Sequence, residues 1–347
     1  MSVTKSRKGI IEFLRFIFAF IVLMVHSHGF NPPPNYPFCG GYLGVEFFLI
    51  LTGYFMTNKC HLCRDRKEPG KVAVSITKKM FHKLVPFIAI VVMIHYIIAF
   101  AFHDVALHDL PYAVYEILLL PMSGIYKTFL IWSLWYLSAV IICLLPWSYL
   151  LIRYNDFFEN IGSVLFPILI YGYICRMSGH LDTWDVWNGI YIGILRVFAG
   201  LCMGTNCHKI SDLIRKKEMK LGQRNVFYIA ACFVIILVVC YIFKFAFTSA
   251  DFFLCLLLTC ALAVLLGVET KFDRIFNNQF FYFLGEWSIA LYCGHWTVRY
   301  ALMKLYGNQT YDRVVPVYIG LSLTYSLILI LVIKCGKKVR NRLADNK

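Results

Sequence analysis

Long runs of mostly apolar residues, separated by short polar stretches, recur along the whole of the 347-residue chain. An α-helix needs about 20 apolar residues to cross the roughly 30 Å hydrocarbon core of a bilayer. The pattern therefore predicts an all-α, multi-pass membrane protein in which residues 1–347 form a single transmembrane domain. The ten predicted spans are residues 10–30, 41–57, 84–102, 132–152, 160–177, 187–207, 225–245, 251–267, 280–302 and 315–333.

One further apolar stretch, LPYAVYEILLLPM at residues 110–122, is too short to cross a bilayer and contains Glu116. A stretch of this length is more typical of an interfacial or re-entrant segment. We therefore predict a short helix on the outer side of the membrane. If this stretch were an eleventh span, every later loop would lie on the opposite side of the membrane. The basic clusters that follow it would then be outside the cell.

Composition and charge agree with the membrane class. The chain is 60% hydrophobic and 15% charged, whereas soluble domains have about 45–50% apolar and about 25% charged residues. The net charge is +15, and with a cytoplasmic N-terminus the outer loops hold only Lys127, Lys304 and Arg313 of the lysines and arginines. This asymmetry follows the positive-inside rule, so both termini are predicted to be cytoplasmic. Topology thus explains the basic charge, and no nucleic-acid partner is predicted.

The first predicted span carries polar residues that a membrane helix would normally avoid. Glu12 and Arg15 lie near its cytoplasmic end and His26 near its outer end. Arg15 and His26 are separated by about three helical turns and roughly 16 Å, so they share one face. Such a polar face usually points to a bundle interior or a water-filled cavity. Alternatively, Arg15 reaches the inner headgroups and His26 forms hydrogen bonds at the outer interface.

The second predicted span descends from the outer side and carries Glu46 at nearly the depth of His26. A carboxylate there is expected to pair with the imidazole, fixing its tautomer and raising its basicity. Alternatively, Glu46 stabilises the start of its own helix. Gly44 and Gly53 are expected to let this helix approach a neighbour closely.

The ninth predicted span places Ser288, Tyr292 and His295 on one helical face, because they follow a spacing of four and three residues. The span rises outward, so His295 also falls in the outer half of the membrane. Two histidines at similar depth on helices that are distant in sequence favour a shared site.

Two further groups lie at the predicted membrane surfaces. Lys79 and Lys83 precede the third span one helical turn apart, where they either bind phosphates or form part of a basic stop-transfer cluster. The fourth span begins with WSLWYLS, whose aromatic residues Trp132, Trp135 and Tyr136 either stack on a sugar ring or belong to an interfacial aromatic belt. The lone CxxC at Cys60 and Cys63 lacks two further ligands, so no metal site is predicted.

Five elements occur in an order that resembles the motifs of membrane acyltransferase family 3. The first span has Arg-x10-His, formed by Arg15 and His26 and preceded by the acidic Glu12, and the second has Gly44-Val45-Glu46-Phe47-Phe48 followed by Thr52-Gly53-Tyr54. Lys79 and Lys83-Leu84-Val85-Pro86 precede and begin the third span, and Trp135-Tyr136-Leu137 lies on the fourth. The ninth span has Gly285, Ser288, Tyr292 and His295. The family usually has arginines where this chain has Lys79 and Lys83, which weakens bidentate phosphate recognition there. It also has serine where this chain has Thr52.

The resemblance implies an O-acetyltransferase in the bacterial cytoplasmic membrane that takes an acyl group, usually acetyl, from cytoplasmic acyl-CoA. The acceptor would be a hydroxyl of a cell-surface polysaccharide or of its lipid-linked precursor. Acetyl-CoA would be a substrate, and no permanently bound cofactor is expected. Arg15, Lys79 and Lys83 are expected to bind acyl-CoA, and His26 with Glu46 is expected to carry out catalysis. Ser288, Tyr292, His295 and Trp135 would support the acceptor or the oxyanion. Glu12, Gly44 and Gly53 would orient the other site residues.

Two questions about mechanism stay open at this stage. His26 would act either as a general base on the acceptor hydroxyl or as a covalent acyl relay. Some family members carry a C-terminal extracytoplasmic SGNH-type domain, and we expect this chain to act without one. It would therefore acylate directly or pass its acyl group to a separate extracytoplasmic partner.

The competing class is a proton-coupled transporter or flippase of a glycan or small solute, which would also use intramembrane Arg, Glu and His. No inverted repeat and no matching pair of broken spans is visible in the sequence, although both are typical of such transporters. The acyltransferase interpretation is therefore preferred.

Overall fold

The computed structural model describes residues 7–34, 36–63, 68–125 and 129–345, with only the backbone course for residues 340–345. The helices are α1 (Gly9–Val25), α2 (Gly44–His61), α3 (Pro69–Ala101), α4 (Leu110–Ile117), α5 (Leu134–Arg153), α6 (Asn155–Phe157), α7 (Ser163–Ser178), α8 (Ile192–Lys216), α9 (Leu221–Lys244), α10 (Asp251–Gly267), α11 (Asp273–Phe276), α12 (Gln279–Tyr306) and α13 (Tyr311–Asp345). Short 3₁₀ turns occur at His26–Phe30, Gly41–Leu43, Leu107–Asp109 and Pro121–Ser123, and a π-turn occurs at Phe158–Gly162. The strands β1 (Val186–Trp187) and β2 (Ile190–Tyr191) form an antiparallel hairpin.

The fold is that of an all-α membrane protein, as predicted. Each predicted span overlaps one of the longer helices in the described ranges. Six segments are long and apolar enough to cross a membrane, as judged by length and composition: Gly9–Phe30, Pro69–Ala101, Leu134–Arg153, Asn155–Ser178, Leu221–Lys244 and Tyr311–Val339. Asp251–Gly267 is a shorter apolar helix.

Several helix boundaries differ from those of the predicted spans. Helix α3 begins at Pro69, before the span predicted from residue 84, and α13 continues to Asp345, past the span predicted to end at residue 333. Both extensions are rich in lysine or arginine, which are good helix formers, so the helices continue where the apolar stretch ends. Hydropathy marks the apolar part of a helix and not the ends of its hydrogen-bonded backbone.

The predicted start of the sixth span, at residue 187, is also wrong, because residues 186–191 form the hairpin and α8 begins only at Ile192. Asn188 and Gly189 join the two strands, with φ angles of 51° and 81°. Positive φ at both central residues is the signature of the type I′ hairpin turn, for which Asn-Gly is the preferred pair. The local turn preference therefore outweighs the apolar character of the segment.

The predicted short helix at 110–122 is present as α4, followed by the 3₁₀ turn at Pro121–Ser123. Glu116 lies on it and is completely buried. Its Oε1 accepts a hydrogen bond from the Leu130 backbone N–H at 2.5 Å. The carboxylate therefore joins α4 to the segment that leads into α5.

Close helix contacts hold the centre of the bundle together. A Cβ at Gly53 in α2 would lie 2.3 Å from the carbonyl oxygen of Leu201 in α8 and 2.9 Å from the Cα of Gly204. A Cβ at Gly44 would lie 2.8 Å from a methyl group of Val22 in α1. Only glycine allows α2 to approach both neighbours so closely, as is common where membrane helices cross.

Candidate functional site

A cavity of about 720 Å³ lies between α1, α2, α3, α5, α12 and α13. One end is lined by charged side chains, namely Arg7, Glu12, Arg15, Lys59, Lys83, Glu286, Lys334 and Lys337. The other walls are apolar or hydroxyl-bearing and include Phe48, Thr52, Tyr136, Ser288 and Tyr292. Cations outnumber carboxylates at the charged end, so the cavity suits an anionic group followed by a less polar chain.

Ion pairs hold the charged end of the cavity in place. Glu12 accepts from Arg7 Nε at 2.8 Å through Oε1 and from an Arg15 guanidinium nitrogen at 2.9 Å through Oε2. Glu286 pairs with Lys334 at 2.8 Å and with Arg7 at 3.3 Å. Glu12 thus positions the Arg15 side chain at the cavity wall, while Lys59, Lys83 and Lys337 add further positive charge there.

Gly285 makes room for the Glu12 carboxylate, because a Cβ at position 285 would lie 1.7 Å from Glu12 Oε2. We expect Gly285→Ala to displace Glu12 and Arg15 and to destabilise the fold by about 1–3 kcal/mol through overpacking. Thermal unfolding in detergent would measure the loss of stability. Gly320→Ala in α13 is the matched control, since no atom lies within 4 Å of its added Cβ; equal effects in the two variants would contradict this explanation.

The two lysines predicted to act together differ in position. Both side chains are exposed, but Lys83 lines the cavity and Lys79 is not among the cavity-lining residues. Lys79 lies about one helical turn, or roughly 6 Å along the axis, before Lys83. Lys59, Lys334 and Lys337 also line the cavity. They were not predicted as site residues, because the positive-inside rule already accounts for basic residues near the ends of spans.

His26 and His295 come together beyond the cavity. Helices α1 and α12 run parallel, because Gly285 meets Glu12 and His295 meets His26 further along. His26 Nδ1 lies 3.2 Å from His295 Nε2, and the ring centroids are 4.9 Å apart. The shared depth predicted for these two residues is therefore seen as a direct contact. Tyr292 lies about one turn before His295 and lines the cavity, which connects the two regions.

Backbone carbonyl groups define the tautomers of both histidines. His26 Nδ1 lies 2.7 Å from Val22 O, and His295 Nδ1 lies 3.2 Å from Leu291 O. A carbonyl oxygen can only accept, so each Nδ1 carries the proton. His295 Nε2 is then an acceptor for His26 Nδ1–H, and His26 Nε2 keeps a basic lone pair. This is the arrangement that a general base or a nucleophilic imidazole requires.

The predicted pairing of Glu46 with His26 is wrong. Glu46 is completely buried, and its Oε1 accepts from Arg196 Nε at 2.6 Å. Its other oxygen accepts from the Tyr171 hydroxyl. Arg196 is also completely buried in α8, and a cation inside an apolar bundle requires a carboxylate partner. His295 takes the place beside His26 that Glu46 was expected to occupy.

Trp135 is also not where the acceptor role would need it. Its ring is buried, lies 5.5 Å from the Arg196 guanidinium carbon and contacts Gly193. It therefore shields the buried ion pair. Trp132, one turn earlier, is half-exposed and stacks on Trp296 beside His26.

The two hydroxyl-bearing residues predicted for the site on the ninth predicted span, Ser288 and Tyr292, both line the cavity. Ser288 Oγ donates to Gly285 O at 2.8 Å, and the Tyr292 hydroxyl donates to Ser133 O at 2.9 Å. Their oxygens retain lone pairs, and Tyr292 also places its ring 5.9 Å from His295. In the described ranges, no three His, Cys, Asp or Glu side chains are grouped as a metal site.

The fold and the site together define a multi-pass helical membrane protein with a basic cavity leading toward an interior histidine pair. The sequence model of a family described as acyltransferase domain matches residues 9–334, nearly the whole chain. The chain therefore belongs to membrane acyltransferase family 3. Comparison with curated proteins and with solved structures produced no significant match.

Proposed function

We propose that the protein is an O-acetyltransferase that moves an acetyl group from cytoplasmic acetyl-CoA to a hydroxyl of a cell-surface polysaccharide or its lipid-linked precursor. The membrane is the bacterial cytoplasmic membrane, crossed ten times, with both termini in the cytoplasm. The observation that carries the proposal is the His26–His295 pair, which lies beyond a basic cavity and is connected to it by Tyr292.

The cavity has the features that an acyl-CoA needs. Its charged end offers Arg15, Lys59 and Lys83 to the nucleotide phosphates, which bind cations strongly. Its less polar walls can accommodate the extended pantetheine arm. Along α1, Arg15 and His26 are roughly 16 Å apart, a distance comparable to the reach of that arm. A donor bound in this way brings its thioester toward the histidine pair.

Either chemical route uses Nε2 of His26. As a general base, Nε2 takes the acceptor proton while the hydroxyl oxygen attacks the thioester carbonyl; the tetrahedral intermediate then expels CoA thiolate, which regains a proton from the imidazolium. As a relay, Nε2 attacks the thioester carbonyl and CoA thiolate leaves; the acceptor hydroxyl then attacks the acyl-imidazolium carbonyl, which releases the imidazole, and the hydroxyl proton passes to the thiolate. In both routes His26 becomes cationic, and His295 Nε2 stabilises it by accepting from Nδ1–H.

The two lysines before the apolar part of α3 test the donor site. We expect Lys83→Ala to raise the KM for acetyl-CoA roughly three- to tenfold, since a charge-assisted hydrogen bond to phosphate is lost. Lys79→Ala should change the KM less, because Lys79 is not among the residues that line the cavity. Initial rates at varied acetyl-CoA would show the difference. A larger effect at Lys79 would place the nucleotide elsewhere.

The proposed function as a whole can be tested on the glycans of the source cells. Mass spectrometry of surface polysaccharide and lipid-linked precursors should show acetyl esters that are absent when the gene is deleted. Restoring the wild-type chain should restore them. Identical glycan acetylation with and without the gene would reject the proposed acceptor class.

A further inference from the structure

Three tryptophans form a continuous cluster from the protein surface to His26. Trp132 is 50% exposed, and its ring lies parallel to that of Trp296 at 6.4 Å between centroids. Trp184 packs edge-on against Trp132 at 5.1 Å. Trp296 in turn meets the His26 ring edge-on at 5.2 Å. An exposed aromatic surface is therefore joined by direct ring contacts to the histidine that carries the proposed chemistry.

The segment that carries Trp132 is fixed on both sides. Leu130 N–H donates to Glu116, and Leu130 O accepts from Trp296 Nε1–H at 3.1 Å. Ser133 O accepts from the Tyr292 hydroxyl. These three hydrogen bonds attach residues 130–133 to α4 and α12. Because the segment is already ordered, a ligand on Trp132 would lose little free energy in organising it.

Polar side chains border the aromatic surface. The Arg299 guanidinium lies 4.5 Å from the Trp296 ring centre, and Arg299 Nε donates to His26 O at 2.8 Å. Asp182, two residues before Trp184 in the chain, is partly buried. Flat apolar rings bordered by hydrogen-bonding groups suit a ligand with an apolar face and hydroxyls at its edge. A pyranose ring has this shape, with C–H bonds on its face and hydroxyls around it.

An interfacial aromatic belt is the simpler explanation for exposed tryptophans near a membrane surface. It accounts for an isolated ring such as Trp187, which packs against Tyr173 at 6.0 Å. It does not account for three rings in mutual contact that lead to His26. The hydrogen-bonded segment around Trp132 is likewise unnecessary for a residue that only contacts headgroups.

We propose that Trp132, supported by Trp184, is the subsite that binds a pyranose ring of the acceptor and directs its hydroxyl toward His26 Nε2. This assignment rests on the proposed acyl transfer for its biological purpose, but sugar binding itself can be measured without any donor. Trp132 acts here as a positioning residue, since it contacts the ring and not the reacting atoms.

Saturation-transfer difference NMR on the full-length protein in nanodiscs tests binding directly. The probes are methyl pyranosides of glucose, N-acetylglucosamine and rhamnose, with mannitol as an acyclic polyol control. We expect transfer to the C–H protons of at least one pyranoside, loss of transfer in Trp132→Ala and retention in Trp132→Phe. Trp187→Ala is the matched control and should behave as the wild type. No transfer to any pyranoside, or equal transfer in Trp132→Ala, would overturn the proposal.

Kinetics with the acceptor found in the glycan comparison extend this test. Trp132→Ala should raise the acceptor KM roughly tenfold, equivalent to about 1.4 kcal/mol, without changing the KM for acetyl-CoA. A change in donor KM alone would contradict the subsite. In His26→Gln, pyranoside binding should persist although transfer stops. If the protein binds pyranosides through Trp132 but never acetylates a glycan, the proposed function is rejected and the sugar subsite stands. If it acetylates a glycan but its sugar binding does not depend on Trp132, the subsite is rejected and the proposed function stands.

Discussion

Replacing His26 by glutamine should reduce kcat by about 10²- to 10⁴-fold, the range that general acid–base catalysis usually supplies. Glutamine retains size and hydrogen bonding, but its amide cannot take a proton or accept an acyl group at neutral pH. Val22 O, which now accepts from His26 Nδ1–H, can still accept from the amide, so the fold should be preserved. Single-turnover acetyl transfer and thermal unfolding would measure the two properties separately.

His28 offers a matched control two residues away. It is exposed, its Nδ1 lies 2.9 Å from Val25 O, and its ring is 6.2 Å from His26. His28→Gln should therefore change kcat little, because this residue makes no contact with His295 in the described structure. Undiminished transfer by His26→Gln, or equal losses in both variants, would remove His26 from the mechanism.

Replacing Arg196 by methionine should destabilise the protein by about 3–5 kcal/mol, because it leaves the Glu46 carboxylate buried without its cation. Arg196 and Glu46 are both completely buried and meet at 2.6 Å. Methionine fills a similar volume, so the loss reports charge and not a cavity. The expected result is a large fall in the thermal unfolding midpoint in detergent.

Restoring charge balance provides the control for that variant. The double variant Glu46→Gln with Arg196→Met should recover much of the lost stability, since a buried ion pair is often replaceable as a unit. A double variant no more stable than Arg196→Met alone would contradict this explanation. If Glu46→Gln abolished transfer without affecting unfolding, Glu46 would be acting on the chemistry and not on the fold.

The helical fold was largely predictable because membrane-length apolar runs and the positions of basic residues are strong signals. These two signals fail where a local turn or helix preference determines the backbone conformation instead. The Asn188–Gly189 turn makes a hairpin inside a predicted span, and α3 begins at Pro69 because its polar first half still favours helix. Neither the hairpin nor the early start of α3 changes the hydropathy of the sequence enough to be recognised from the lengths of the apolar runs.

The site was predictable only in part. The His26–His295 contact followed from depth, but equal depth does not determine which way a helix faces, so Glu46 was paired with the wrong residue. Arg196 was the missing signal, since a buried arginine in an apolar span requires a carboxylate. Trp132 lies in the turn just before α5 and Trp135 in the first turn of that helix, and sequence alone could not tell which of them faces His26.

Acetyl transfer in proteoliposomes tests the central claim most directly. Purified protein would be supplied with acetyl-labelled acetyl-CoA on its cytoplasmic face and glycan acceptor in the same preparation. We predict that wild-type protein releases free CoA in step with the appearance of label on the glycan, and that His26→Gln does neither. Movement of glycan across the membrane without CoA release or acetylation would contradict acyl transfer and identify a transporter instead.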